Sequence, residues 1–104
     1  MAEIACESIG TCNYDQRSFK GYLARWMAAT VQLMPDSYDV IMPRIQASAV
    51  AAAAQCSGGS NGQTCGLRWT QRSVWDGSYG PGEQMSAMNV IGRATSTPPF
   101  RMNC

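Results

Sequence analysis

The segment that most constrains the fold runs from Cys56 to Met88, CSGGSNGQTCGLRWTQRSVWDGSYGPGEQMSAM. Two cysteines bracket a glycine-rich loop, SGGSNGQT, that suits neither a helix interior nor a strand. Trp69 follows, then Trp75-Asp76-Gly77, then a Gly80-Pro81-Gly82 turn that runs into Glu83-Gln84-Met85. Proline is accepted at the start of a helix and not in its middle, so this turn marks a helix beginning. Long, aromatic-bearing loops joining helices are therefore the expected plan.

The rest of the chain supplies the helices. Asp15 offers a helix N-cap, and QRSFKGYLARWMAATVQLM carries Phe19, Tyr22, Leu23, Trp26, Met27, Thr30 and Leu33 at spacings of three and four. That spacing makes one apolar face of an amphipathic helix, and Pro35 stops it. Asp36 or Ser37 can cap a second helix, expected to be regular from Pro43 to Gln55, with an irregular turn up to Met42. Its alanine-rich second half implies a close neighbour, because alanine buries little area of its own. A third helix is expected to begin near Glu83, with Met85, Met88, Val90 and Ile91 on its apolar side. Gly92 and the Ser/Thr/Pro run after it read as an interruption. The expected organisation is a domain portion over 1–92 and a divergent, disordered tail over 93–104.

Composition excludes several classes. With 104 residues and a net charge of +1, the chain has no electrostatic footprint for nucleic acid. The basic residues are scattered, so no direct membrane contact is expected, and no apolar run reaches the roughly 18–20 residues that span a bilayer. Five cysteines, with Cys6/Cys12 and Cys56/Cys65 as local pairs, suggest an oxidising compartment. Both pairs read as disulfides, each adding about 2–3 kcal/mol by loop closure. Free thiols and a metal site are the rival readings. The chain has no histidine, and the intervals are longer than the usual zinc-knuckle spacing, so no metal is expected. Cys104 is left over. The opening MAEIACESIG carries no secretory signal, which conflicts with the cysteines, and a native N-terminus lying upstream is one way to reconcile the two. Three helices make a thin core, so at least one apolar face is expected to lack its partners.

The series CNYDQRSFKGYLARWMAAT, QCSGG, CGLRW, WDG and GPGEQMSAMNVI, in this order and spacing, resembles the C-terminal part of fungal glycoside hydrolase family 76. Its members are mannan endo-1,6-alpha-mannosidases and related cell-wall mannoprotein transglycosylase-like proteins, and the resemblance covers about Cys6 to Ile91. It implies an all-α fold: a fragment of an (α/α)6 barrel, with about three helices joined by long disulfide-closed loops. Twelve helices at about 1.5 Å rise per residue do not fit into this length. The missing N-terminal part of the barrel is thus an implied partner. The Phe19 and Gln84 helices would be inner staves and the alanine-rich helix an outer one. The implied parent is secreted or held at the cell surface or wall, often by an anchor, although PPFRMNC is no anchor signal and both ends read as cut.

The family works with an adjacent Asp-Asp pair, as nucleophile and acid/base in a retaining mechanism needing no cofactor. None of Glu3, Glu7, Asp15, Asp36, Asp39, Asp76 and Glu83 neighbours another carboxylate. No catalytic residue is therefore carried over, and this chain alone is expected to be inert. The cleft of such barrels lies at one end, which would bring Asp15, Gln16, Lys20, Trp75, Asp76, Glu83 and Gln84 towards an α-1,6-linked mannan or mannoprotein glycan. Trp69, Trp75 and Tyr79 could stack on sugar rings, with carboxylates and amides at the hydroxyls. The plainer alternatives are that Trp69 and Trp75 pin loops to the core, that Asp76 starts an Asp-Gly turn and that Glu83 serves the helix dipole. A small disulfide-stabilised, non-catalytic interaction or sugar-binding module is the competing reading of the whole chain.

Overall fold

The computed structural model describes residues 1–71 and 73–96. Three helices carry the fold: α1 (Phe19–Leu33), α2 (Tyr38–Gln55) and α3 (Pro81–Ser96). Short 3-10 turns at Gln16–Ser18, Pro35–Ser37 and Trp69–Gln71 lead into α1, lead into α2 and interrupt the long loop. Among the described residues the extended structure is a single isolated bridge between Gly58 and Thr64. Both expected disulfides are formed, Cys6–Cys12 and Cys56–Cys65.

The helix boundaries differ from expectation in four places, each for a local reason. The turn before α1 is capped by Asn13: its Oδ1 accepts from Gln16 N at 2.8 Å while Asn13 N donates to Gln16 Oε1 at 2.9 Å. This reciprocal exchange satisfies main-chain donors that have no helical partner, and Asp15 makes no side-chain cap bond. Second, α2 is regular from Tyr38, with Pro43 inside it. So close to the N-terminus, the missing N–H removes one helical bond, to Asp39 O, and the helix tolerates the loss. Third, Pro81 takes the first position of α3, two residues ahead of Glu83. Fourth, α3 runs through Gly92 to Ser96 rather than breaking there. Residues 97–104, most of the expected tail, lie outside the described residues.

Within this chain α1 packs by the side opposite its apolar stripe. Its buried residues are Lys20, Gly21, Ala24, Ala28 and Val31, the small side of the helix. Gly21 lies so near α3 that a Cβ there would stand 2.9 Å from Ser86 Cα. Close approach buries backbone against backbone, which the large stripe would have prevented. Phe19, Tyr22, Leu23 and Trp26 are left bare, at 45, 40, 49 and 70% exposure. Met88, expected inside α3, is also exposed, while Glu83, Ser86, Ala87 and Val90 are buried. The core is Met42 and Ile45 of α2, Val90 of α3, Trp69 of the loop, and alanines from all three helices. Arg17 meets Gly82 and Gly21 meets Ser86, so α1 and α3 run parallel with their N-terminal ends side by side. Ser86 Oγ donates to Arg17 O at 2.8 Å across that seam.

Candidate functional site

The paired N-terminal ends of α1 and α3, the C-terminal end of α2 and the 65–80 loop converge at one end of the fold. A polar network fastens them. Lys20, 4% exposed, points off α1 into the loop. Its ammonium pairs with Glu7 Oε2 at 3.0 Å, donates to Leu67 O and stands 3.9 Å from the centre of the Trp69 ring. Burial lowers the Lys20 pKa, and the Glu7 carboxylate pulls in the opposite direction. Glu7 is itself buried and accepts from Glu3 N at 2.7 Å, which ties in the Cys6–Cys12 loop.

Asp76 organises the next layer. Its Oδ2 accepts from Leu67 N at 3.1 Å and Arg68 N at 2.7 Å, and its Oδ1 accepts from Ser78 N at 2.9 Å. The last of these is the Asp-Gly turn expected from sequence, completed by Gly77 at φ +83°. Trp75 donates its indole N–H to Ser78 O at 3.0 Å. Its ring lies where a side chain on Gly58 would have to go, so it clamps the base of the glycine-rich loop. Gln84 is solvent-exposed as a residue, yet its Oε1 accepts from Cys65 N at 2.8 Å. Glu83 is 1% exposed. Its Oε2 accepts from Ser78 Oγ and lies 3.5 Å from Arg17 Nη1, while its Oε1 is buried with no partner among the described residues.

All seven sequence candidates therefore belong to this end, but they do not stand alike towards solvent. Lys20, Trp75, Asp76 and Gln84 spend polar atoms on the chain's own backbone. The Asp15 side chain is exposed, and Gln16 is half-buried with its carbonyl committed to Asn13. Of the other aromatic candidates, Trp69 is 2% exposed, buried in the core, and Tyr79 is exposed. Beside the network lies a polar cleft of about 300 Å³ lined by Glu7, Arg17, Arg68, Asp76, Gly77 and Ser78, among others. A residue that the sequence reading missed completes the frame: Gln55, fully buried at the end of α2. Its Nε2 donates to Val74 O at 2.6 Å, and its Oε1 accepts from Asp76 N at 3.3 Å. The available signal was a lone amide closing an alanine run, next to a cysteine. Gly66 must be glycine, because a Cβ there would collide with both Gln55 and Asp76.

The profile of Glycosyl hydrolase family 76 matches residues 1–98. The chain is 53% identical over 89 residues to mannan endo-1,6-alpha-mannosidase DCW1 of Saccharomyces cerevisiae, covering 86% of this chain and 20% of that protein. It is 50% identical over 91 residues to mannan endo-1,6-alpha-mannosidase DFG5 of the same yeast, covering 88% of this chain and 20% of that protein. The crystal structure of Dfg5 from Chaetomium thermophilum in complex with glucosamine superposes with a TM-score of 0.77 at 34% identity, covering 93% of this chain and 25% of that one. The chain thus spans about a fifth of the length of the curated relatives it matches.

Proposed function

This chain belongs to glycosyl hydrolase family 76, and on that premise we propose that it is one segment of an endo-acting glycosidase or transglycosylase. The substrate is α-1,6-linked mannan or the mannose core of glycosylphosphatidylinositol anchors, at the fungal cell surface or wall. The segment supplies no nucleophile and no acid/base pair. It contributes the end of the barrel described above, while an upstream Asp-Asp pair performs the retaining chemistry.

The observation that carries this reading is the bare stripe of α1. Phe19, Leu23 and Trp26 stay exposed although the small face of the same helix is fully packed. A self-sufficient module would have little reason to keep such a stripe in water, whereas a stave of a closed ring needs it for the next helix. Within the site, Lys20, Asp76 and Trp75 hold the loops in place. Asp15, Gln16 and the unpartnered Glu83 Oε1 keep hydrogen-bonding capacity for sugar hydroxyls or for groups contributed by the rest of the parent.

The test joins this segment to the upstream coding sequence. The extended protein is expected to cleave or transfer α-1,6-mannan oligomers, and Asp→Asn at either member of the upstream pair abolishes this. The 104-residue chain is expected to leave the same oligomers intact. Hydrolysis by the short chain, or an upstream frame without adjacent aspartates, would refute the proposal.

A further inference from the structure

The base of the glycine-rich loop is clamped by Trp75, but its tip at Asn61 and Gly62 is exposed and carries chemistry of its own. We propose that Asn61 is a site of spontaneous deamidation and isoaspartate formation, and that the fold protects the chain's Asp-Gly step, Asp76-Gly77, from the corresponding reaction. Asn61 and Gly62 are both exposed. Gly62 sits at φ +70° with open space where a Cβ would be. Asn61 Oδ1 accepts from Gln63 N at 3.0 Å, which folds the side-chain amide back over the Gly62 peptide. Among the described residues, Gly62 N makes one long hydrogen bond, to Gly59 O at 3.4 Å.

The reaction balances with solvent alone. Hydroxide removes the Gly62 amide proton, and the nitrogen attacks Asn61 Cγ to form a C–N bond. The Cγ–Nδ2 bond breaks as water protonates the departing nitrogen and regenerates hydroxide, so ammonia leaves and a succinimide remains. Water then opens the ring at either carbonyl, giving aspartate or isoaspartate. The product adds one negative charge to a chain whose net charge is +1.

Asp76-Gly77 has a similar local sequence and the same left-handed glycine, at φ +83°. Its carboxylate is held by three main-chain N–H groups. These bonds hold both carboxylate oxygens and fix Cγ in place. Asn13 is bonded through its Oδ1 to Gln16 N and is followed by Tyr14 rather than glycine, and Asn89 lies within α3.

The experiment is incubation of the chain at mildly alkaline pH in 18O water, followed by peptide mass mapping with separation of the isomers. The loop peptide carrying Asn61 is expected to incorporate label and split into aspartate and isoaspartate forms, while the Asp76 peptide stays single. Gly62→Ala slows conversion by about tenfold, because a Cβ restricts the backbone and crowds the attacking nitrogen. Asn61→Gln, whose longer side chain disfavours closure of the five-membered ring, removes the loop signal. In denaturant with the disulfides reduced, Asp76 begins to isomerise. Conversion no faster at Asn61 than at Asn13 or Asn89, or isomerisation of Asp76 in the folded chain, would overturn the proposal.

Discussion

Replacing Lys20 by methionine tests whether the ion pair beneath the site holds the loops. Methionine keeps the aliphatic stem but leaves Glu7, 5% exposed, as a buried carboxylate without its 3.0 Å counter-charge. Breaking one side of a buried pair costs about 3–5 kcal/mol. The lost donor to Leu67 O accounts for about 1 kcal/mol of that. Glu7→Gln removes the charge yet can still accept from Glu3 N, so the double variant Lys20→Met/Glu7→Gln is expected to regain about 2 kcal/mol over Lys20→Met alone. Urea unfolding followed by tryptophan fluorescence reads these differences through the midpoint at constant slope. If Lys20→Met is unfolded without denaturant, an excluded osmolyte common to all four proteins restores a measurable baseline. A loss below about 1 kcal/mol, or a double variant no better than the single, would refute the view that this pair is closed and buried.

Further outcomes follow from the same geometry. Because burial lowers the Lys20 pKa, the folded chain binds its proton less tightly than the unfolded chain. Its destabilising contribution is fully present below the lowered value and is relieved as pH rises towards the ordinary 10.5. The alkaline slope of stability against pH is therefore expected to fall in Lys20→Met, measured by denaturation at stepped pH. Gly21→Ala gains up to about 1 kcal/mol of helix propensity, but its Cβ stands 2.9 Å from Ser86 Cα, main chain that cannot swing away. The net loss is expected to be about 1–2 kcal/mol by thermal unfolding. Asp76→Asn turns an amide N–H₂ towards main-chain donors and costs about 2 kcal/mol in urea unfolding. Trp26→Ser, at a side chain 70% exposed, changes stability by less than about 0.5 kcal/mol while lowering binding of an apolar dye.

Much of the architecture was legible in the chain itself. Proline at 35 and 81, the alanine run before Gln55 and the cysteine intervals announce three helices and two local disulfides, because these are short-range effects of backbone geometry and loop closure. The ordered motifs identify the family, and no two aspartates in the chain are adjacent. The placing of the seven candidate residues towards one end was implied only by the family resemblance and not by the residues themselves.

The roles within that end were settled only by tertiary packing. Periodicity finds a stripe on α1 but does not say which side a neighbour can reach. The small side won because Gly21 and Ala24 let α3 approach closely, leaving the aromatic side without a partner in this chain. Lys20 reads in sequence as a residue directed at the cleft, yet lies buried because Glu7, 13 residues before it (20 − 7), is folded back beside it by the Cys6–Cys12 loop. Gln55 and Gly66 carry no local signal strong enough to pair them with Asp76. Their fit depends on atoms many residues apart being brought within hydrogen-bonding distance, which only the closed fold accomplishes.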